Sequence, residues 1–581
     1  MRRFSALIAF AAACAFPAAA SAASGGSSSV LRPSPVETAQ SNPTAPVPAS
    51  APNSDSAAPQ LSPARVLAIA NALPRVRALR AENPHPAEFI TDLPDGDRAV
   101  LYVIPNGTLP PKEIGQVTID GRSGRVLEAL TGIQLFWQAA RGIPGQFGRH
   151  VSALYVWLPM CLLFMLPFFN FRRPFSLLHL DLLVLLSFSV SFAFFNHAHI
   201  YASVPLVYPP LIYLLARMLA LMRRDTVREG ARPLRLLVPV PWLAVAVVLL
   251  IGFRIALNVT DSNVIDVGAA GVFGAHRITA GEPLYGSYPH SHEHQDTYGP
   301  VIYESYIPFE QTFGNETSDD QSAARAAAIA FDLLAVALLF LLGRRLRGPA
   351  LGVAMAYAWV SYPFTLFVLE TNSNDALVAL LVLAALLAAT YRSKVAQTAR
   401  GALAALAGLT KFAPLALAPV LATHGLRELP PARRPYALAL FLAGFLGAGA
   451  LVFIPALSHD SLHTIYEQTV AFQANRETPF SVWGLYGGLG GLQLTVQIAA
   501  VVLALTLAVV PRRPDLVGLA AACAAVIVAT QLGLNYWFYL YIPWFFPVVM
   551  LALLGRSSTP TGAEAPRAWM PARSTPPAAR A

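Results

Sequence analysis

The sequence predicts a mainly α-helical membrane protein: a polytopic transmembrane bundle of about eleven spans plus a re-entrant or broken helix pair, with a small exported α+β domain. Of its 581 residues, 55% are hydrophobic and 13% are charged, whereas a soluble globular protein carries roughly a quarter charged residues. Apolar runs long enough to cross a bilayer recur from residue 151 to residue 554. Arginines cluster in the short segments between these runs, as in cytoplasmic loops, so the net charge of +9 requires no nucleic-acid partner.

The first 22 residues are predicted to be a signal peptide. Arg2 and Arg3 precede an apolar run over residues 4–20, and the small residues Ala20-Ser21-Ala22 supply a cleavage site. An uncleaved membrane anchor is the alternative, and either arrangement exports the residues that follow. Residues 23–60 are rich in Ser, Pro, Ala and Gly, and this composition predicts a disordered linker.

Residues 61–135 are predicted to form the small exported α+β domain. Helical periodicity over residues 64–80 precedes four strand-like runs, at 88–91, 99–104, 115–119 and 125–130. The sequence Asp120-Gly121-Arg122-Ser123-Gly124 indicates a turn between the last two strands. The stretch IDGRSGRVLEALTG around this turn resembles the PepSY domain, which is an exported binding or inhibitory module. A spacer domain is the alternative interpretation.

Residues 150–555 are predicted to form the membrane domain, followed by a disordered cytoplasmic tail at 556–581. The eleven apolar runs lie at 151–169, 178–196, 203–222, 236–257, 325–342, 349–369, 375–391, 436–456, 495–511, 515–533 and 536–554. One further run, at 401–423, is interrupted by Lys411, Pro414 and Pro419. Proline lacks the N–H that a continuous helix needs, so this run is predicted to be broken.

The positions of the arginines decide how the broken run is placed. With an exported N-terminal domain, Arg172 and the arginines of segments 223–235 and 344–347 lie on the cytoplasmic side. If 401–423 crossed the membrane, Arg427 and the arginines after it would lie outside. If the run enters and returns on the cytoplasmic side, every arginine-rich loop stays inside, so we predict a re-entrant or broken pair buried against protein.

This topology places three polar segments on the exported side, at residues 258–322, 370–375 and 457–491. The first contains Asp261 and Asp266 within a few residues of an apolar span. Carboxylates at this depth are functional candidates, because lipid cannot solvate them. The structural alternative is a capping role at a helix start, which fits Asp261 better than Asp266.

Five short motifs follow one another between residues 250 and 490. They are Asp266 with Ala270-Gly271 and Gly281-Glu282-Pro283-Leu284-Tyr285, then Tyr298-Gly299-Pro300, Asn372-Ser373-Asn374-Asp375, Lys411-Phe412-Ala413-Pro414 and Ser481-Val482-Trp483-Gly484. In this order they resemble the GT-C superfamily of integral membrane glycosyltransferases, near the polyprenyl-phosphate-mannose-dependent mannosyltransferases. Four apolar runs before Asp261 depart from that pattern, because the family's catalytic loop usually follows the first span.

The resemblance implies a glycosyltransferase of the plasma (inner) membrane with its active site on the exported side. The donor would be a polyprenyl-phosphate sugar, such as a mannose derivative, and the acceptor a glycan or glycolipid. In an inverting reaction, a general base takes the proton from the acceptor hydroxyl as it attacks the anomeric carbon. The resemblance implies Asp266 for this base, with Asp261 as the second candidate.

The donor phosphate calls for cations, and the motifs add polar and aromatic candidates for binding the substrate. The cationic candidates are Lys411, Arg254, Arg277 and Arg476. The remaining candidates are Tyr285, Tyr298, Asn374, Asp375, Ser481 and Trp483. As alternatives, Lys411 snorkels to the interface and Arg476 is a solvated loop charge.

We predict no cofactor. His290, His292 and His294 would lie on one side of an extended segment, and a divalent metal there is the alternative. We predict that the aromatic residues near the C-terminal end of the membrane domain form an interfacial belt. Stacking on the substrate is the alternative. They are Tyr536, Trp537, Tyr539, Tyr541 and Trp544.

Two functions of other classes remain open from the sequence. A transporter would show repeat symmetry or opposed broken helices, and only the run at 401–423 is visibly broken. A non-catalytic assembly or sensor protein would use the PepSY-like module for recognition and the membrane domain as a scaffold. Such an assembly or sensor protein would not require the carboxylates of segment 258–322.

Overall fold

The computed structural model describes residues 60–93, 96–104, 112–131, 135, 137, 147, 150–223, 236–288, 295–314, 321–476, 478–510 and 513–555. The predicted signal peptide, the linker and the C-terminal tail fall outside these residues. His290, His292 and His294 also fall outside them.

The N-terminal unit contains two helices and a four-stranded antiparallel sheet in the order β1-β2-β3-β4. The helices are α1 (Pro63–Ala72) and α2 (Pro74–Glu82), and the strands are β1 (Ala87–Asp92), β2 (Arg98–Ile104), β3 (Lys112–Ile119) and β4 (Val126–Thr131). The four predicted strands are all present. The single predicted helix is divided in two, because Pro74 cannot donate the backbone hydrogen bond that would continue α1.

The turn between β3 and β4 has a local structural basis. Asp120 Oδ1 accepts hydrogen bonds from the backbone N–H groups of Arg122 at 2.9 Å and Ser123 at 2.8 Å. These bonds lower the pKa of the Asp120 carboxyl, because they favour its charged form. Gly124 has a φ of +72°, which glycine adopts without strain. The DGRSG motif therefore builds the turn, and the PepSY resemblance stays a prediction.

Within the described residues of the second unit, all regular secondary-structure elements are helices. Its first helices are α3 (Leu154–Met165), α4 (Leu177–Asn196), α5 (Ile200–Leu206), α6 (Tyr208–Arg223), α7 (Val240–Asp261), α8 (Asp266–Ala280), α9 (Pro300–Phe313), α10 (Ser322–Arg347), α11 (Pro349–Ser361) and α12 (Pro363–Glu370). Then follow α13 (Asp375–Ala389), α14 (Lys394–Thr410), α15 (Ala418–Thr423), α16 (Arg434–Val452), α17 (Ile454–Leu457), α18 (Leu462–Tyr466), α19 (Phe472–Asn475), α20 (Val482–Leu485), α21 (Gly490–Val509), α22 (Leu516–Leu532) and α23 (Ile542–Leu554).

Within the described residues, six helices are long and apolar enough to cross a membrane. They are α4, the continuous stretch Ile200–Met222, α7, α10, Pro431–Val452 and α21. The pair α11–α12, bent by 58°, would make a seventh span. Leu154–Phe168, α13, α22 and Tyr539–Leu554 are shorter apolar helices. All eleven predicted runs thus fall on helices of a multi-pass membrane protein, and the count of eleven crossings stays a prediction.

The run at 401–423 is broken, as predicted. Helix α14 ends at Thr410, Lys411 is extended, and a short 3₁₀ turn over Ala413–Leu417 leads into α15. Close packing holds this segment: a Cβ on Gly401 would lie 2.0 Å from the Phe441 carbonyl oxygen of α16. Small residues allow such backbone approach between membrane helices.

The segment before α3 lies against the bundle. Trp137 Nε1 donates a hydrogen bond to the Phe195 carbonyl oxygen at 2.6 Å. The ring of Phe147 packs against those of Phe367 and Phe538, with centroids 5.5 and 5.8 Å away. Trp137 therefore contacts α4, and Phe147 contacts α12 and the segment before α23.

Topology yields the first testable prediction. Pro430 and Ser458 are exposed and flank α16. We expect a cysteine at position 430 to react with an impermeant maleimide only after the membrane is opened, and one at 458 to react in intact cells, because the arginine distribution places 424–435 in the cytoplasm. The chain without added cysteines is the blank. Labelling of position 430 from outside would show that the broken segment crosses.

Candidate active site

The start of α8 and the turn after α12 pack directly together. The Ile265 N–H donates to the Thr371 carbonyl oxygen at 3.2 Å, and Asn258 Nδ2 donates to Asn372 Oδ1 at 2.8 Å. A Cβ on Gly268 would lie 2.3 Å from the Asn372 carbonyl oxygen, so only glycine permits this contact. The polar segments 258–322 and 370–375, which the sequence predicts to lie on the exported side, therefore meet at Asp266.

Asn372 holds the turn in an uncommon backbone conformation. Its φ is +52°, a left-handed value that asparagine tolerates better than most residues. Its Nδ2 donates to Ser262 Oγ at 2.9 Å and to the Asn263 carbonyl oxygen at 2.8 Å. These bonds join the turn to the α7–α8 connection and place Asp375 at the start of α13.

The Tyr298-Gly299-Pro300 motif brings in the broken segment. A Cβ on Gly299 would lie 1.8 Å from the Leu409 carbonyl oxygen, two residues before Lys411. The third polar segment reaches the same place, because Gln473 Nε2 donates to the Thr297 carbonyl oxygen at 3.5 Å. These contacts thus bring four separate parts of the chain together. The place where they meet, with Asp266, Tyr298, Asp375, Lys411 and Arg476, is called the recess.

The Asp266 carboxylate occupies this recess. The residue is exposed to solvent, and the charges of Arg476, Lys411 and Asp375 act on its carboxyl group. Burial raises the pKa of the Asp266 carboxyl, and Asp375 adds to that effect. The Val267 N–H and the charges of Arg476 and Lys411 act in the opposite direction. Asp266 is therefore a carboxylate whose pKa is raised by burial, within range of the charges of two cations.

Lys411 is paired with a carboxylate at the edge of the recess. Its Nζ lies 2.8 Å from Asp375 Oδ1, and 10% of its side chain is exposed. Three aromatic rings surround the ammonium, those of Tyr298, Tyr541 and Trp544, with centroids at 5.5, 5.6 and 5.7 Å. The lysine is thus held inside the protein, and the snorkelling alternative is wrong.

Arg476 is the second cation of the recess. Its Cζ lies 4.4 Å from the ring centroid of Tyr536, a distance at which the ring face attracts the cation. It forms no ion pair or hydrogen bond with any other residue that the structure describes. As far as the described part of the protein shows, the N–H donors of its guanidinium therefore remain available to a ligand.

Asp261 lies elsewhere. It is the last residue of α7, so the helix start expected there is wrong, and the helix begins at Asp266 instead. Asp261 Oδ2 accepts a hydrogen bond from the His150 N–H at 2.8 Å. Its carboxylate therefore anchors the segment before α3 and does not face the recess.

Arg254 and Arg277 also lie away from Asp266. Arg254 is fully buried in the bundle, and its Nη2 lies 2.6 Å from Asp332 Oδ1. Arg277 Nε donates to the Pro283 carbonyl oxygen at 2.6 Å, and its Nη2 to Ser287 Oγ at 2.6 Å. In this structure Arg254 stabilises helix packing and Arg277 holds the loop after α8, so neither reaches the recess.

The other predicted residues contact protein groups. Tyr285 OH donates to the Tyr298 carbonyl oxygen at 3.0 Å, and Asn374 Nδ2 donates to the Val267 carbonyl oxygen at 3.3 Å. Ser481 Oγ accepts from the Gly484 N–H at 3.1 Å and caps α20. Trp483 Nε1 donates to the Leu532 carbonyl oxygen at 2.9 Å. Tyr285 and Asn374 support the recess walls, whereas Ser481 and Trp483 shape the loop before α21.

Three aromatic residues belong to the site, although the preferred interpretation of the sequence assigned them to an interfacial belt. Tyr536 packs on Arg476, and Tyr541 and Trp544 pack around Lys411. The sequence feature that could have indicated their place in the site is the high density of aromatic residues over 536–544. No group of three or more metal-ligating side chains occurs among the described residues.

Comparisons with known proteins agree with part of the resemblance. No curated protein matches the sequence. The crystal structure of ArnT from Cupriavidus metallidurans bound to undecaprenyl phosphate is similar at 17% identity, with a TM-score of 0.38, over 55% of this chain and 59% of that chain. Residues 297–541 match glycosyltransferase family 87, and this stretch contains Tyr298, Asp375, Lys411 and Arg476. Over residues 297–541, the chain is therefore similar to glycosyltransferase family 87.

Proposed function

We propose that the protein is an integral membrane glycosyltransferase that uses a polyprenyl-phosphate sugar, with a hexose such as mannose, and acts on a glycan or glycolipid acceptor. The reaction takes place on the exported side of the plasma (inner) membrane and inverts the anomeric configuration. One observation carries the proposal: an exposed carboxylate, Asp266, lies where four parts of the chain meet, within range of the positive charges of Arg476 and Lys411. The family 87 region supplies most of the walls of the recess.

Asp266 acts as the general base. The acceptor hydroxyl oxygen attacks the anomeric carbon of the donor while its proton passes to the Asp266 carboxylate. The bond between the anomeric carbon and the phosphate oxygen breaks, and polyprenyl phosphate leaves with the electron pair. A raised pKa suits this role, because a base accepts a proton best when its pKa approaches the working pH.

Arg476 binds the donor phosphate. A guanidinium can donate two parallel hydrogen bonds to phosphate oxygens, and Arg476 has no carboxylate partner among the described residues. The face of Tyr536 supports the guanidinium from one side. Lys411 is less suited, because Asp375 already balances its charge at 2.8 Å.

A transporter is the second candidate, and one observation favours it. Two interrupted helical segments, α11–α12 and α14–α15, end near the recess, and broken helices of this kind form substrate sites in transporters. The accessible carboxylate and the family 87 region favour sugar transfer. A sensor or assembly role has no comparable support.

The decisive experiment uses the purified full-length protein in nanodiscs. Radiolabelled polyprenyl-phosphate mannose and a glycolipid extract of the native membrane serve as substrates, with the glucose and galactose donors run in parallel. We expect one labelled sugar to pass to an acceptor while polyprenyl phosphate is released in equal amount. Movement of intact donor across a liposome bilayer without any transfer would instead identify a transporter.

A further inference from the structure

We propose that Asp375 is a positioning residue that holds the Lys411 ammonium away from the catalytic carboxylate, so that Asp266 remains a free base. This inference rests on the proposed role of Asp266. It assigns Asp375 a task other than binding the donor, and it explains why a lysine lies inside the protein so close to a carboxylate that must accept a proton.

Asp375 is placed to act as a clamp on Lys411, that is, to hold its ammonium in one position. Asp375 is completely buried at the start of α13. Its Oδ1 accepts hydrogen bonds from Lys411 Nζ at 2.8 Å and from Trp544 Nε1 at 3.0 Å. The carboxylate therefore joins three parts of the chain: α13, the break after α14, and α23. A residue with no accessible surface is better placed to hold another side chain than to bind substrate.

The Lys411–Asp375 pair lies near Asp266, because Asn374, which precedes Asp375, donates a hydrogen bond at 3.3 Å to the carbonyl oxygen of Val267, which follows Asp266. The charge of Lys411 acts on the Asp266 carboxyl, yet within the described residues the only ion pair of Lys411 is with Asp375. The rings of Tyr298, Tyr541 and Trp544 restrict the ammonium on its other sides. The carboxylate and the rings together fix where the positive charge lies.

The position of this charge decides how strong a base Asp266 is. The charged groups that act on the Asp266 carboxyl are Arg476, Lys411 and Asp375. Three tyrosines, Tyr298, Tyr536 and Tyr541, lie around the same recess. A direct ion pair with Lys411 would lower the pKa of Asp266 and weaken the base. Asp375 prevents that pair.

The test is the pH dependence of kcat in the full-length protein. In Asp375→Asn the freed ammonium turns to Asp266, so we expect the acidic limb of the pH profile of kcat to move to lower pH. We expect kcat to fall by about ten- to a hundredfold, which is less than the ~10²–10⁴ that a positioned base contributes, because the base is weakened and not removed. In the Asp375→Asn/Lys411→Gln double variant, no ammonium is left to form an ion pair with Asp266. We therefore expect most of the lost turnover to return and the acidic limb to move back to higher pH.

Trp544→Phe is the matched control. It removes a neutral hydrogen bond to the same Oδ1 atom but keeps an aromatic ring beside the ammonium and leaves the Lys411–Asp375 pair intact. The acidic limb of the pH profile should therefore stay in place. If the second substitution gives no recovery, or if Trp544→Phe shifts the limb as Asp375→Asn does, Asp375 supports only the fold and the proposal is overturned.

A second measurement does not depend on sugar transfer. The chain has three lysines, Lys112, Lys394 and Lys411, so acylation by an amine reagent can be followed at each by mass spectrometry. We expect Asp375→Asn to raise the labelling rate of Lys411 several-fold relative to Lys394, whose rate should not change. Unchanged labelling would refute the clamp. Faster labelling in a protein that transfers no sugar would leave the clamp standing and refute the proposed function.

Discussion

Asp266→Asn is expected to lower kcat for sugar transfer by about 10²–10⁴-fold, the contribution of a positioned general base. The amide keeps the shape of the carboxylate but cannot accept the proton of the acceptor hydroxyl. Donor binding should change little, because the phosphate contacts lie on Arg476. The measurement is steady-state kinetics on the purified variant, together with its thermal unfolding midpoint.

Asp261→Asn is the control for this variant. Asp261 ends α7 and accepts the His150 N–H outside the recess, so its amide should leave turnover within a few-fold of the unsubstituted protein. If Asp261→Asn abolishes transfer and Asp266→Asn does not, the base has been assigned to the wrong carboxylate. If both variants stay active, no carboxylate of this segment acts as the base.

Arg476→Gln is expected to raise KM for the polyprenyl-phosphate donor by about one to two decades. A hydrogen bond to a charged group contributes about 1.5–3 kcal/mol, and about 1.4 kcal/mol corresponds to one decade in affinity. The effect should fall mainly on KM, because the phosphate is held both before and during transfer. Donor titrations at saturating acceptor measure it.

Two further variants locate the phosphate. Arg476→Lys keeps the charge but loses the paired donors of the guanidinium, so its KM should lie between those of Arg476→Gln and the unsubstituted protein. Lys411→Met should change KM less than Arg476→Gln, because Asp375 already binds that ammonium. The opposite order would return the donor phosphate to Lys411, as the sequence alone indicates.

The sequence by itself was enough to predict the class of fold and several local features of the site. Composition and run length predicted a membrane bundle, and each apolar run falls on a helix. Pro414 and Pro419 predicted the break after α14, because their effect on the backbone is local. The register of Asp266 came from its motif, and the residue does begin a helix that faces the recess.

The tertiary structure decided which charges meet. Inside the bundle, Arg254 forms an ion pair with Asp332, which is 78 positions away in the chain. Lys411 forms an ion pair with Asp375, which is 36 positions away. Tyr536 packs against Arg476, and Tyr541 and Trp544 pack around Lys411. A sequence shows that a charge in an apolar segment needs a partner, since lipid cannot solvate it. Which partner it finds depends on how distant helices pack, and helical periodicity specifies the apolar face of each helix but not its neighbour.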